Sequence, residues 1–272
     1  MRVICELLGN SFELPSRPCR IISLVRSATK TMTELGCAER VVDVSPYCRR
    51  YAPEVAAPVV GDDLGADMEV LRALQPDLIF LTTGVQGALA CRLAEAGLSA
   101  YALPLPSSRF GILENIVTLG ALLGELRSAR SLANRLNAAA EALRAQAPAV
   151  WPRVYAELWF GRHPRMVGGR CFVHDLIEWV GGDNIFAGNP GSYLSLDLPS
   201  VVTAHPQTAI FFSEPESPVS AAALLAERGW LGLVSDRVME CGLEKGRNLI
   251  HSGPSYFATA AWLHVQRHNR VT

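Results

Sequence analysis

Two stretches of this chain carry the same order of signals. MEVLRALQPDLIFLT (68–82) and LPSVVTAHPQTAIFFS (198–213) each read as a helical segment, an x-Pro dipeptide and a continuous apolar run. An apolar run of that length bounded by turn signals is the mark of a strand buried on both faces. Such strands belong to parallel sheets, because a parallel connection must cross back through an element that covers the sheet. TELGCAERVVDVS and IEWVGGDNIFAGN form a second pair, each reading as helix, glycine, strand and polar loop. Together the pairs restrict the chain to an α/β architecture and point to an internal duplication.

The rest of the pattern extends that organisation. Residues 3–8 and 11–14 flank Gly9-Asn10, a hairpin dipeptide. The apolar run 20–25 leads into a helix expected over 28–36 and stopped by Gly36. Strand 40–44, helix 67–74, strand 77–82, helix 86–96 and strand 99–103 follow. Then Leu126, Ala129, Ala133, Leu136, Ala140 and Leu143 recur at three- and four-residue spacing, one apolar stripe on one long helix. A flexible linker would instead be rich in glycine and serine. The expected fold is therefore α/β, with an N-terminal lobe at 1–125, a linking helix at 126–148 and a C-terminal lobe at 149–272. A ligand cleft is expected between the lobes.

Charge and apolar content exclude several function classes. The 272 residues carry a formal net charge of −1, which argues against nucleic acid or an anionic membrane surface as partner. No stretch approaches the roughly 18–20 apolar residues of a membrane span. The opening MRVICELLGNSFELPSRP has too short an apolar run for a signal peptide, interrupted by Glu6 and Glu13. Seven scattered cysteines, an odd number without a CxxC pair, fit a reducing compartment. A cytoplasmic chain with free thiols is the expectation.

Ligands of open parallel sheets sit beyond the carboxyl ends of the strands. In the first lobe that rule selects Arg26, Ser27, Tyr47, Cys48, Arg49, Arg50, Tyr51, Thr82 and Thr83. Ser27 is read as the cap of the helix that follows, its oxygen accepting a backbone N–H. The remaining N–H groups and the helix dipole then form an anion site flanked by Arg26 and Lys30. YCRRY (47–51) is read as a loop whose tyrosine faces and guanidinium forks suit a large ring system with an acidic rim. In the second lobe, LWFGRHPR (158–165) supplies Trp159, Phe160, Arg162 and His163, and Ser213, Glu214, His251 and Tyr256 join them. His163 and His251 are the candidate metal ligands, as neutral imidazoles that can take an axial position on cobalt or heme iron; a hydrogen-bonded loop residue is the commoner role of such a histidine. His205 precedes its strand and is read as structural. His264 and His268 lie one turn apart, but Val265 stands where a hydrolytic H-E-x-x-H carries glutamate, so HVQRH is read as a helix end. There is no G-x-S-x-G, P-loop or G-x-G-x-x-G. That pattern favours binding over turnover.

In order, LGNSFELPSRPCRIISLVRSATKTMTELG, DVSPYCRRYAPE, GADMEVLRALQPDLIFLT, the helix at 126–147, VGGDNIF and SGPSYFATAAW resemble the blocks of the helical-backbone (class III) solute-binding proteins of ABC importers. That group captures vitamin B12, ferric siderophores and heme. The resemblance implies two Rossmann-like lobes joined by a long backbone helix. It also implies a non-catalytic role: a corrinoid, siderophore or heme-like chelate is the ligand, and no intrinsic cofactor is needed. Tyr47 matches a ligand-contacting tyrosine of the B12 binders, and Tyr193 stands where they carry a tryptophan. Departures are specific. Arg26 replaces the usual proline and Lys30 the usual glutamate, and no tryptophan stands near Asp63 or Thr82. Of the two acidic residues that meet permease arginines, Glu69 fits the first, whereas Pro199 occupies the second. A cytosolic tetrapyrrole- or metal-handling enzyme or metallochaperone on the same fold is the alternative; it would act through His163, His251 or Cys48.

Overall fold

In the computed structural model, which describes residues 1–59, 65–147, 149–215, 217–242 and 251–268, the chain divides into two units. The first holds Met1–Leu105 and Gly111–Arg135, the second Pro106–Phe110 and Leu136–Thr272.

The first unit opens with β1 (Arg2–Cys5) and β2 (Asn10–Glu13), an antiparallel hairpin in which Cys5 pairs with Asn10. Then come β3 (Ile21–Ser23), α1 (Arg26–Glu34), β4 (Val41–Val44), α2 (Pro46–Tyr51) and α3 (Met68–Ala73). β5 (Leu78–Thr82), α4 (Gly87–Glu95) and β6 (Ala100–Leu103) complete a parallel sheet of order β4-β3-β5-β6. Side chains alternate across it. Ile21, Leu78 and Phe80 enter one core with Ala28 and Met32, while Ile22, Ile79 and Leu81 enter another with Leu71, Leu89 and Leu93. Both faces are covered, which is why these strands are apolar throughout. The Asn10 amide donates to the Ala100 carbonyl at 3.1 Å, so the hairpin covers part of outer strand β6.

Two helices follow: α5 (Arg109–Leu122) and α6 (Leu126–Arg144). Gly124, at φ +75°, separates them, and a β-carbon there would lie 2.5 Å from the Ser16 carbonyl oxygen. The buried Arg40 closes the same turn by donating to the Leu123 carbonyl at 2.9 Å and to Glu125 at 2.5 Å. α6 runs on from the first unit into the second at Arg135–Leu136.

The second unit contains β7 (Arg153–Phe160), β8 (His163–Val167), α7 (Phe172–Trp179), β9 (Asp183–Asn184), β10 (Tyr193–Leu194) and α8 (Leu198–Ala204). β11 (Thr208–Ser213), α9 (Ala221–Glu227), β12 (Arg237–Cys241) and α10 (Ser255–His268) end it. β9, β7, β11 and β12 are parallel neighbours in that order, which repeats β4-β3-β5-β6 of the first unit. The repeat extends to side chains. Asp77 donates its N–H to the Arg20 carbonyl at 2.8 Å and accepts from the Arg20 N–H at 2.9 Å. Gln207 does the same with Arg153, at 2.8 and 2.9 Å. Gly36 and Gly181 end α1 and α7 at φ +71° and +77°. The duplication inferred from the repeated signals is thus present in the topology.

One part of the second sheet departs from a parallel plan. β8 folds back on β7 through Gly161 (φ +59°) and Arg162, pairing His163 with Phe160, and β10 pairs antiparallel with β8. His163, read from the sequence as a loop residue, is in a strand, because the two-residue turn needs only one positive-φ glycine to form.

Candidate functional site

The carboxyl ends of β3, β4 and β5 bring the first-unit candidates together. Val25, not Ser27, is the N-cap of α1, and no side chain caps it. The helix begins at Arg26, so Ser27 lies within the first turn and the expected serine cap is corrected. Threonine takes over the fastening: Thr29 Oγ1 donates to the Val25 carbonyl at 3.0 Å and meets Ser23 Oγ at 2.8 Å, both buried. Lys30 does not flank an anion site as expected. Its ammonium pairs with Glu54 at 3.2 Å and with Glu34 at 3.9 Å.

YCRRY is a short helix rather than a loop. Ser45 caps it by accepting the Cys48 N–H at 3.2 Å, and Pro46 occupies its first turn, where no N–H is needed. Helical spacing then sorts the five residues. Cys48 is 0% exposed within the core, beside Ser45 Oγ at 3.1 Å, so it faces away from any ligand. Tyr47 and Tyr51, four apart, share a partly exposed face. The Arg26 guanidinium lies over both rings, 5.0 and 5.5 Å from their centroids. Arg49 is exposed, and its Nη2 donates to the Ala57 carbonyl at 2.5 Å. Arg50 is exposed on the same helix.

Thr83 acts on backbone: its hydroxyl accepts the Leu105 N–H at 2.9 Å. A residue missed from the sequence, Gln86, stands nearby and is buried. Its amide donates to the Leu24 carbonyl at 2.9 Å and accepts the Thr82 N–H at 3.0 Å, joining the ends of β3 and β5. The one available signal was a polar residue at the N-cap of the helix GALACRLAE. Asp63, a position compared with the B12 binders, lies outside the described residues.

In the second unit, the β7–β8 hairpin gathers Trp159, Phe160, Arg162 and His163. Arg162 and His163 are exposed at its tip, and Glu214 braces it by accepting the Gly161 N–H at 2.8 Å. Trp159 Nε1 is buried without a hydrogen-bond partner among the described residues. Tyr193 stacks edge-on against Phe160 at 5.5 Å. Burial raises the Tyr193 phenol pKa, as does its hydrogen bond to Cys171. Burial likewise pushes the Cys171 thiol up to about 11. Tyr256 is corrected: it is 0% exposed, its hydroxyl 3.4 Å from Asp175 Oδ2, the oxygen that also accepts the Arg109 N–H at 2.7 Å. The same aromatic character that suggested a ligand contact serves the core here. His251 is buried and His163 exposed, and among the described residues no three His, Cys, Asp or Glu side chains cluster as a metal site. His264 is buried in α10, and the side chain of His268 lies outside the described residues.

Comparison with known proteins places this geometry. Residues 21–233 match the periplasmic binding protein family. The cobalamin-binding protein of Halobacterium salinarum R1 is 30% identical over 228 residues, 80% of this chain and 60% of that protein. The chain thus spans about 60% of the length of the curated relatives it matches. The periplasmic heme-binding protein HutB of Vibrio cholerae superposes with a TM-score of 0.80 at 19% identity, covering 94% of this chain and 100% of that one. The periplasmic vitamin B12 binding protein BtuF of the same species gives 0.73 at 20% identity, covering 92% and 97%. These structures share the two-lobed α/β fold. The chain belongs to the periplasmic binding protein family, whose members are binding proteins rather than enzymes.

Proposed function

We propose that this chain is a non-catalytic binding protein for a metal chelate of the corrinoid, heme or siderophore kind, with acidic groups on its rim. The observation that carries the reading is the stacking of Arg26 on Tyr47 and Tyr51 at the ends of β3 and β4. Flat aromatic faces beside a guanidinium suit a large ring with anionic substituents. Phe160 on the β7–β8 hairpin and Tyr193 on the neighbouring β10 offer a second aromatic surface. In this reading α6 links the lobes, and recognition is by packing and charge-assisted hydrogen bonds without covalent chemistry. An ABC permease is the proposed partner class. Glu69 and Pro199 occupy the same second position in the duplicated helices α3 and α8, so only the first lobe offers an acid there.

Visible-absorption titration with cyanocobalamin, hemin and a ferric hydroxamate tests the proposal. Saturation at one equivalent, with the chelate recovered unchanged, is the expected result. Binding of none of the three would remove the reading. Metal loss or insertion during incubation would replace it with the metallochaperone alternative.

A further inference from the structure

The β3–β5 ladder stops one rung short, and a side chain stands in the gap. Ser23 pairs with Phe80, and the Leu24 N–H donates to the Phe80 carbonyl at 3.1 Å. In a parallel ladder the next bond runs back, from the Thr82 N–H to the Leu24 carbonyl. Both groups bond to Gln86 instead. Its side-chain carbonyl accepts the Thr82 N–H at 3.0 Å, and its side-chain N–H donates to the Leu24 carbonyl at 2.9 Å. Gln86 is 2% exposed, so this amide lies inside the edge of the sheet rather than in water. The two strand ends are held apart by the width of an amide.

The gap falls at a particular place in the topology. β3 leads through α1 to β4, and β5 leads through α4 to β6, on opposite sides of the pair. Ala28 and Met32 of α1 pack on one face of the sheet, Leu89 and Leu93 of α4 on the other. The β3–β5 boundary is therefore the switch point of the first sheet, where the two connections part and leave a crevice beyond the strand ends. Arg26 comes two residues after Leu24, and Thr83 directly after Thr82, so both walls of the crevice start at groups that Gln86 holds. We propose that Gln86 is a positioning residue, a wedge that sets the width of this crevice before any ligand arrives. The inference rests on the chelate-binding reading and adds to it the residue that preorganises the first-unit contacts. Gln86 acts through the two strand ends.

Gln86→Ala and Gln86→Met separate a wedge from an ordinary buried side chain. Alanine lets the missing rung close, so that the Thr82 N–H and the Leu24 carbonyl satisfy each other. A scalar coupling across that hydrogen bond, absent from the unmodified protein, should then appear by NMR, and the urea midpoint should change little. Affinity should nonetheless fall about tenfold or more, read by visible titration with whichever of cyanocobalamin, hemin and a ferric hydroxamate saturates the unmodified protein. Methionine keeps the width and loses both hydrogen bonds, so stability should fall while affinity holds. An alanine variant that shows no new coupling, keeps its affinity, or loses stability and affinity together overturns the wedge, as does a folded methionine variant that no longer binds. If the methionine variant does not fold, the alanine variant still decides. Failure of all three chelates to bind the unmodified protein removes the chelate reading and the role of Gln86 with it, whereas unchanged affinity in Gln86→Ala removes the wedge alone.

Discussion

Gln75 and His205 share a backbone conformation found at no other non-glycine residue in the described chain, with φ of 45° and 47°, and each stands directly before a proline. Each turns the chain out of a helix, α3 or α8, into the buried strand that follows. A residue with a β-carbon pays roughly 1–2 kcal/mol for this left-handed region. Both side chains are exposed, so nothing in the packing requires them. Gln75→Gly and His205→Gly should each raise stability by up to about 1 kcal/mol, less the added freedom of the unfolded chain. Urea denaturation measures this, and a lower midpoint for both would show that the turns are not strained.

Glu157 and Arg228 form a buried pair in the second unit, joined by two hydrogen bonds of 2.7 and 3.0 Å. The Tyr155 hydroxyl donates to the same carboxylate, and the guanidinium lies 5.2 Å from the Trp230 ring. Removing one partner leaves the other charge buried, at a cost of about 3–5 kcal/mol. Arg228→Met should therefore lower the melting temperature sharply. The double variant with Glu157→Gln should recover part of that loss, and a double variant no better than the single would break the coupling argument.

Gly168 and Gly169 position Tyr193. A β-carbon on them would lie 2.0 Å from the Gly191 carbonyl oxygen and 2.2 Å from that of Ala187. Their N–H groups donate to Ser192 and Asn189 at 3.1 and 2.8 Å. Gly169→Ala must push the 187–192 segment away, and Tyr193 with it. We expect lost stability together with a changed near-ultraviolet tyrosine signal, and an unchanged signal would uncouple the glycine from Tyr193.

Alkaline pH should destabilise the fold earlier than an average protein. Burial pushes the Cys171 thiol from 9.0 to about 11, so the folded state keeps a proton that the unfolded chain releases. Stability from this group is whole below pH 9 and falls by about 3 kcal/mol as the pH rises to about 11. Tyr155, Tyr193 and Tyr256, all raised by burial, add to the loss above pH 10. Denaturation midpoints measured from pH 8 to 11 check the slope, and Cys171→Ser should flatten its first part.

All seven cysteines are free thiols, and only Cys19 and Cys91 are exposed. An Ellman titration should register two fast thiols in the native protein and seven in denaturant. Cys19→Ser with Cys91→Ser should remove the fast phase, and a surviving fast phase would mean that a core thiol is reachable.

Much of the fold was legible because its causes are local or periodic. Apolar runs beside x-Pro identified β5 and β11, the three- and four-residue spacing identified α6, and Gly36 marked the end of α1. The duplication was readable for the same reason, since two equal strings of signals build two equal sheet orders. The site was legible only as a set of chain positions. The carboxyl-end rule selected Arg26, Tyr47 and Tyr51, and it could not separate them from Cys48 and Tyr256, whose side chains the structure buries.

The sequence by itself determined which segments become buried strands, where the helices stop and that two similar α/β units result, because hydrophobic period and turn chemistry act within a few residues. Tertiary structure alone decided which way each candidate side chain faces. Cys48 turns into the core while Tyr47 and Tyr51 do not, because Ser45 and Pro46 start a helix there and helical rotation sends neighbours to opposite sides. Gln86 becomes a clamp because β3 and β5, more than fifty residues apart in the chain, end side by side. Such contacts depend on the sheet order, which no short stretch encodes.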